Sequence, residues 1–201
     1  PKTAAEPISL RVLLTRYRTL MTSRLFIGYS LTVAFSWSCY FVFSFESPFI
    51  LQTTLGLNSV IFGLLYAIPI LGYLVGTQLT KRFANEVGWN RLTLIATIIS
   101  LFGSILLVFT VVFFPLSWLV IIIPMILIMA GLGIIIPCCQ AAVTQPFATI
   151  AGTASGLFFF IQMTVGGMWG FILPYFKGNI PFLMSITILT SSLIVIIIFY
   201  G

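Results

Sequence analysis

Apolar residues run in blocks along this chain. Near 25–45, 59–79, 91–113, 116–138, 152–174 and 181–200 the sequence is mostly Leu, Ile, Val, Phe and Ala, with scattered hydroxyls, glycines and aromatics. Crossing a bilayer as an α-helix takes about 20 such residues, so the pattern predicts an all-α polytopic membrane protein with six spans. The intervening stretches ESPFILQTTLGLN, KRFANEVGWN, FPLS, CQAAVTQPFATIAG and KGN are polar or turn-like. The segment before the first block differs. Its Leu10, Leu13, Leu14 and Tyr17 are interspersed with Arg11 and Arg18. That mixture predicts an interfacial helix within a linker over 1–24, ahead of a bundle over 25–201.

Composition agrees with a lipid environment. Of 201 residues, 60% are hydrophobic and 6% charged, against about 25% charged in a soluble domain. Such a chain could not solvate its own surface. The first 24 residues lack the apolar core of a cleavable signal, and Pro1 in place of Met suggests that the true N-terminus lies upstream.

Charge sets an expected orientation. Lys2, Arg11, Arg16, Arg18 and Arg24 precede the first span, and Lys81, Arg82 and Arg91 lie between the second and third. An even number of spans puts these segments on one side, and the other side has only Lys177. Cytoplasmic segments keep the Lys/Arg excess, so both ends are expected in the cytoplasm. Basic residues that flank spans argue against a nucleic-acid surface.

Catalytic and metal chemistry find little support. Thr153-Ala-Ser-Gly156 superficially resembles the serine motif of rhomboid proteases, but the chain has no histidine to act as base. No histidine and no internal acid cluster also leave Cys138-Cys139 without further metal ligands. The expectation is a non-enzyme without metal or cofactor, in which Cys39, Cys138 and Cys139 are buried small hydrophobes.

Small residues, prolines and polar residues suggest how the spans pack. Gly72 and Gly76, Gly152 and Gly156, and Gly166 and Gly170 each form a small-xxx-small pair, which lets backbones approach closely. Spans 2 and 5 are therefore expected inside the bundle. Spans 3 and 6, mostly aliphatic, are expected to face lipid. Pro69 and Pro137 predict kinks, either static or flexing. Tyr29, Trp37, Tyr40, Gln140 and Gln162 are candidates for the wall of a cavity. Gln162 reads either as an interhelical link or as a substrate contact.

The order polar, glycine-rich, aliphatic occurs twice. Ser47-Pro-Phe49 separates spans 1 and 2, and Gln145-Pro-Phe147 separates spans 4 and 5. Three spans repeated once lie in opposite orientations, a 3+3 inverted repeat as found in each half of a major facilitator transporter.

SPFILQTTLGLNSVIFGLLYAI resembles the seventh-to-eighth helix stretch of the Bcr/CflA branch of drug:proton antiporters in the major facilitator superfamily. GLGIIIPCCQAAVTQPFATIAGTASGLFFFIQ resembles the tenth-to-eleventh helix stretch of that branch, and Pro1-Lys2-Thr3 resembles the segment after its sixth helix. The resemblance implies a C-terminal half, helices seven to twelve, in a bacterial inner membrane. Its implied partners are protons, small amphipathic drug-like substrates and an N-terminal six-helix half not present in this chain. Gly76-Thr-Gln-Leu-Thr-Lys-Arg82 resembles a degenerate copy of the superfamily's cytoplasmic loop motif without its acid.

The function expected is half of a proton-coupled multidrug exporter, lining one wall of a midplane cavity. The alternative is an inactive or regulatory half, or one half of a split transporter. Glu46 is expected at the external rim, where Pro48 should end or break the helix two residues later. There it is either a solvated cap or a charge that attracts cations and protons.

Overall fold

The computed structural model describes residues 10–176 and 178–200; residues 1–9 and Lys177, with the expectations placed on them, lie outside that range. Among the described residues there is no strand. Helix α1 (Leu10–Thr22) is followed by six long helices: α2 (Arg24–Pro48), α3 (Ser59–Val87), α4 (Trp89–Phe113), α5 (Trp118–Thr144), α6 (Ala151–Ile172) and α7 (Ile180–Tyr200). All six are long and apolar enough to cross a membrane.

Local chemistry sets several ends. Ser23 Oγ accepts from Phe26 N–H at 3.3 Å to open α2, and Asn58 Oδ1 accepts from Ile61 N–H at 2.9 Å to open α3. Gly88, at φ +84°, is the single residue between α3 and α4. Only glycine adopts that conformation cheaply, which permits so tight a reversal. The predicted separators KRFANEVGWN and CQAAVTQPFATIAG are thus largely helical. The first has no Gly or Pro before Gly88, and CQAAVT extends α5 to Thr144. Pro69 and Pro137 lie within continuous helices, as does Pro124, which sequence reasoning passed over.

Pro48 closes the α-helical part of the first span, and the span itself runs on to Thr54. The proline's own φ of −60° and ψ of −42° are helical, and a π-helical turn, Phe49–Thr54, follows. Leu55 N–H donates to the Ile50 carbonyl at 3.0 Å. A proline lacks the N–H of the regular ladder, and here the chain widens into i→i−5 bonding instead of stopping.

The packing is that of an inverted repeat. α5 packs most extensively on α3 and α4, while α2 packs on α6 and α7. α2 meets α5, and α4 meets α7. Helices of the unit α2–α4 thus pair chiefly with those of the unit α5–α7, and α3–α5 matches α2–α6 as α4–α5 matches α2–α7.

Burial corrects the expected roles of the spans. In α5, 72% of the most apolar stretch is buried, and in α2 50%; α4 and α7 reach 33%, α3 22% and α6 17%. Spans 2 and 5 are therefore the most exposed helices of this bundle, not its interior. Leu65, Pro69, Gly72, Gly76, Thr80 and Ala84 form one buried stripe on α3, and Ala154, Phe158, Gln162 and Gly166 a narrower one on α6. Residues three or four apart share a helix face, and the rest of each circumference is uncovered. Leu64, Leu71, Leu74 and Val75 on α3, with Phe160, Met163, Met168 and Phe171 on α6, are all exposed.

The glycine pairs differ in what they touch. A Cβ on Gly72 would fall 2.3 Å from the Ile126 carbonyl oxygen, and one on Gly76 2.2 Å from that of Ala130. Gly133 of α5 reciprocates, 2.2 Å from the Tyr73 carbonyl oxygen. Thr80 adds a bond from Oγ1 to the Gly133 carbonyl at 3.4 Å. At Gly166 and Gly170 a Cβ would meet the rings of Phe41 and Phe45, at 2.6 and 2.7 Å. Gly152 and Gly156 correct the sequence reading, since a Cβ there meets nothing within 4 Å.

Candidate functional site

Polar side chains within an apolar bundle need partners or water, so their clusters locate candidate chemistry. The densest cluster lies between α2 and α3. Tyr66 Oη bonds with Tyr40 Oη at 2.9 Å and with Ser44 Oγ at 2.7 Å. Trp37 stands beside Tyr40 with ring centroids 5.0 Å apart, and Phe43 stacks on Tyr66 at 5.5 Å with planes 12° apart. Tyr40, Ser44 and Tyr66 are each half-buried. Two hydroxyls four residues apart on α2 face one phenol on α3, and the three form a polar seam walled by aromatic rings.

One turn below the seam, the α2–α6 contact carries further unsatisfied polarity. Among the described residues, neither Trp37 Nε1 nor Gln162 Oε1 has a hydrogen-bond partner, and both atoms are buried. Phe41 lies against Gly166 and Phe45 against Gly170. That register places Gln162, four residues before Gly166, at the level of Trp37, four residues before Phe41. A donor and an acceptor therefore stand at the same height on facing helices, unpaired.

Gln140 lies elsewhere. It lines a groove of about 460 Å³ between α3 and α5, with Tyr73, Thr77, Lys81, Trp89 and Pro137. The groove opens at the end of the bundle where α2 and α4 begin. That end also carries Arg16, Arg18, Arg24, Lys81, Arg82 and Arg91, with Glu86 the acid among the described residues there. Tyr29 is at this basic end too, not with Trp37 and Tyr40. Its Oη donates to Asn90 Oδ1, and its ring lies edge-on to Phe199 at 6.3 Å.

Glu46 sits near the opposite end. It stands two residues before α2 passes into the π turn. Its side chain is half-buried beside a cavity of about 130 Å³ lined by Leu173, Phe176, Ile180 and Leu183. A fully solvated cap would not have these apolar walls.

Of the five predicted wall residues, the structure brings Trp37, Tyr40 and Gln162 to one region and separates Gln140 and Tyr29. Sequence reasoning missed Tyr66, Ser44, Tyr73 and Asn90. Tyr66 had a signal, as a tyrosine one turn before Pro69 in an otherwise aliphatic stretch. Asn90 had none that distinguished it from a helix-start polar residue.

A sequence model described as the Major Facilitator Superfamily matches residues 1–171. The chain is also similar to an uncharacterized MFS-type transporter, YdgK, of Bacillus subtilis (strain 168). The two are 27% identical over 163 residues, 81% of this chain and 40% of that protein. The chain thus spans less than half the length of the curated relative it matches.

Proposed function

The chain belongs to the Major Facilitator Superfamily, a family of transporters, and from that premise we propose that it forms one half of a proton-coupled exporter of amphipathic, drug-like molecules. The observation that carries this reading is the seam of Trp37, Tyr40, Ser44 and Tyr66. Aromatic faces accept flat apolar and cationic rings, and hydroxyls that rotate can serve several substrates as donor or acceptor. Unpaired Trp37 and Gln162 add one donor and one acceptor at the same level. Such a surface has broad chemistry and no fixed charge, which fits loose selection.

The proton is assigned to a second six-helix half. The three acids of this chain are Glu6, Glu46 and Glu86; the two among the described residues lie toward the ends of α2 and α3, not at the middle of a span, where a coupling carboxylate belongs. The exposed apolar faces of α3 and α6 are the surfaces that half would cover. The Lys/Arg excess supports a cytoplasmic basic end, and the membrane in this reading is a bacterial inner membrane.

The test is proton-driven extrusion of a planar cationic dye from everted vesicles containing the complete transporter. Tyr66→Phe, which removes the hydroxyl shared by Tyr40 and Ser44, should raise KM for the dye several-fold at normal protein level. Unchanged dye transport in Tyr66→Phe and Trp37→Ala alike would overturn the assignment of the seam. The chain alone, reconstituted with a pH gradient, should show no exchange.

A further inference from the structure

At the basic end, three crevices adjoin around Tyr29 and Asn90. One, of about 280 Å³, is lined by Arg24, Gly28, Tyr29 and Asn90 from α2 and α4, with Phe199 of α7. A second, of about 420 Å³, holds Arg91 and Trp89 and shares Tyr29 and Asn90 with the first. The two crevices thus meet at Tyr29 and Asn90, with Arg24 lining one and Arg91 the other. A third, also about 420 Å³, continues past Arg24 and Gly28 to Thr22 and Ser23.

Both arginines are exposed, and neither makes an ion pair or hydrogen bond among the described residues. Arg82, at the same end, instead lies over the Phe83 ring at 5.4 Å from its centroid. Below Arg91 the surface turns apolar. Arg91, Ile95, Ile98 and Phe102 follow at spacings of four, three and four, which puts them on one face of α4, and all are exposed. Leu193 and Ile197 of α7 are exposed as well. A ligand here meets cations, a phenol and an amide at one level and an uncovered aliphatic strip beneath.

We propose that these crevices are a site for an anionic phospholipid, its phosphate between Arg24 and Arg91 and an acyl chain along the Ile95–Phe102 strip of α4. The chemistry excludes the obvious alternatives in kind. A zwitterionic headgroup brings its own cation toward two guanidinium groups, and a soluble phosphate leaves the apolar strip unused. Guanidinium forks suit phosphate oxygens, and basic pockets between transmembrane helices on the cytoplasmic side suit anionic headgroups. Gly28 keeps the first crevice open: a Cβ there meets no atom within 4 Å. The site does not depend on the transport reading, only on the helices lying in a bilayer.

The experiment measures association of spin-labelled phosphatidylglycerol and phosphatidylcholine with the full chain in mixed-lipid bilayers. Phosphatidylglycerol should be preferred. Arg24→Gln with Arg91→Gln should cut that preference about tenfold, and Gly28→Leu should lower it with no change of charge. Arg82→Gln should leave it within about twofold. An equal loss with Arg82→Gln would mean diffuse attraction and overturn the site, as would an unaffected Gly28→Leu. Displacement of the label by millimolar inorganic phosphate would overturn the lipid in favour of a soluble anion.

Discussion

The α3–α5 and α2–α6 contacts occupy equivalent places in the repeat and are built differently. At α3–α5, glycines on both helices bring backbone against backbone: Gly72 and Gly76 face carbonyl oxygens of α5, and Gly133 faces that of Tyr73. At α2–α6, the glycines of α6 lie under phenylalanine rings of α2. A carbonyl within a helix cannot move aside without breaking the helix, whereas a ring can turn about χ1 and χ2. The first contact is therefore fixed and the second adjustable. The adjustable one borders the unpaired Trp37 and Gln162, where the proposed transport cycle would need room.

The sharpest way to break that contrast is Gly76→Leu. Its Cβ alone would fall 2.2 Å from the Ala130 carbonyl oxygen, so the helices must part. Overpacking of this kind costs about 1–3 kcal/mol or more. The variant should be poorly expressed, or should melt far below the parent in detergent. Gly166→Ala should do much less, about 1 kcal/mol or under, because the Phe41 ring can give. Equal losses in thermal unfolding would erase the distinction between the two contacts. Gly156→Ala, facing open space, should be neutral or stabilise by up to about 1 kcal/mol through helix propensity. A large loss there would mean that a surface not visible in this bundle already covers α6.

The smallest effect concerns Glu46, half-buried beside apolar walls near the end of α2. Glu46→Gln should leave folding and proton coupling intact and at most weaken handling of cationic compounds. Loss of neutral and cationic transport alike, at normal protein level, would make Glu46 a coupling residue.

The outline of the fold was legible because lipid imposes a simple code. Six apolar blocks, two odd-numbered units and asymmetric basic flanks follow from hydropathy and charge alone. Details failed where one local signal was read without its surroundings. Pro48 reads as a stop or break, yet its fixed φ suits a helix, and the chain goes on into a π turn rather than leaving the span. Gly152 and Gly156 have the same spacing as Gly72 and Gly76, but spacing does not say whether a neighbour is present. The seam was half legible. Trp37 and Tyr40 stood out on α2, while Tyr66 became meaningful only when α3 brought it within 2.9 Å of Tyr40. Tyr29 and Tyr40 look alike in sequence, yet Tyr29 lies at the basic end and Tyr40 in the seam, because eleven residues carry α2 through about three turns.

The central claim is that the Trp37–Tyr40–Tyr66 seam faces an aqueous substrate pathway in the assembled transporter. It is tested most directly by cysteine accessibility, after replacement of the three buried cysteines Cys39, Cys138 and Cys139 by alanine. Cysteine at Tyr40 is compared with cysteine at Phe102, on the exposed strip of α4. In native membranes, a small hydrophilic thiol reagent should modify the cysteine at 40, and a planar cationic substrate should slow that reaction. The cysteine at 102 should stay unmodified. Labelling at 102 with none at 40, or labelling at 40 that no substrate slows, would contradict the account.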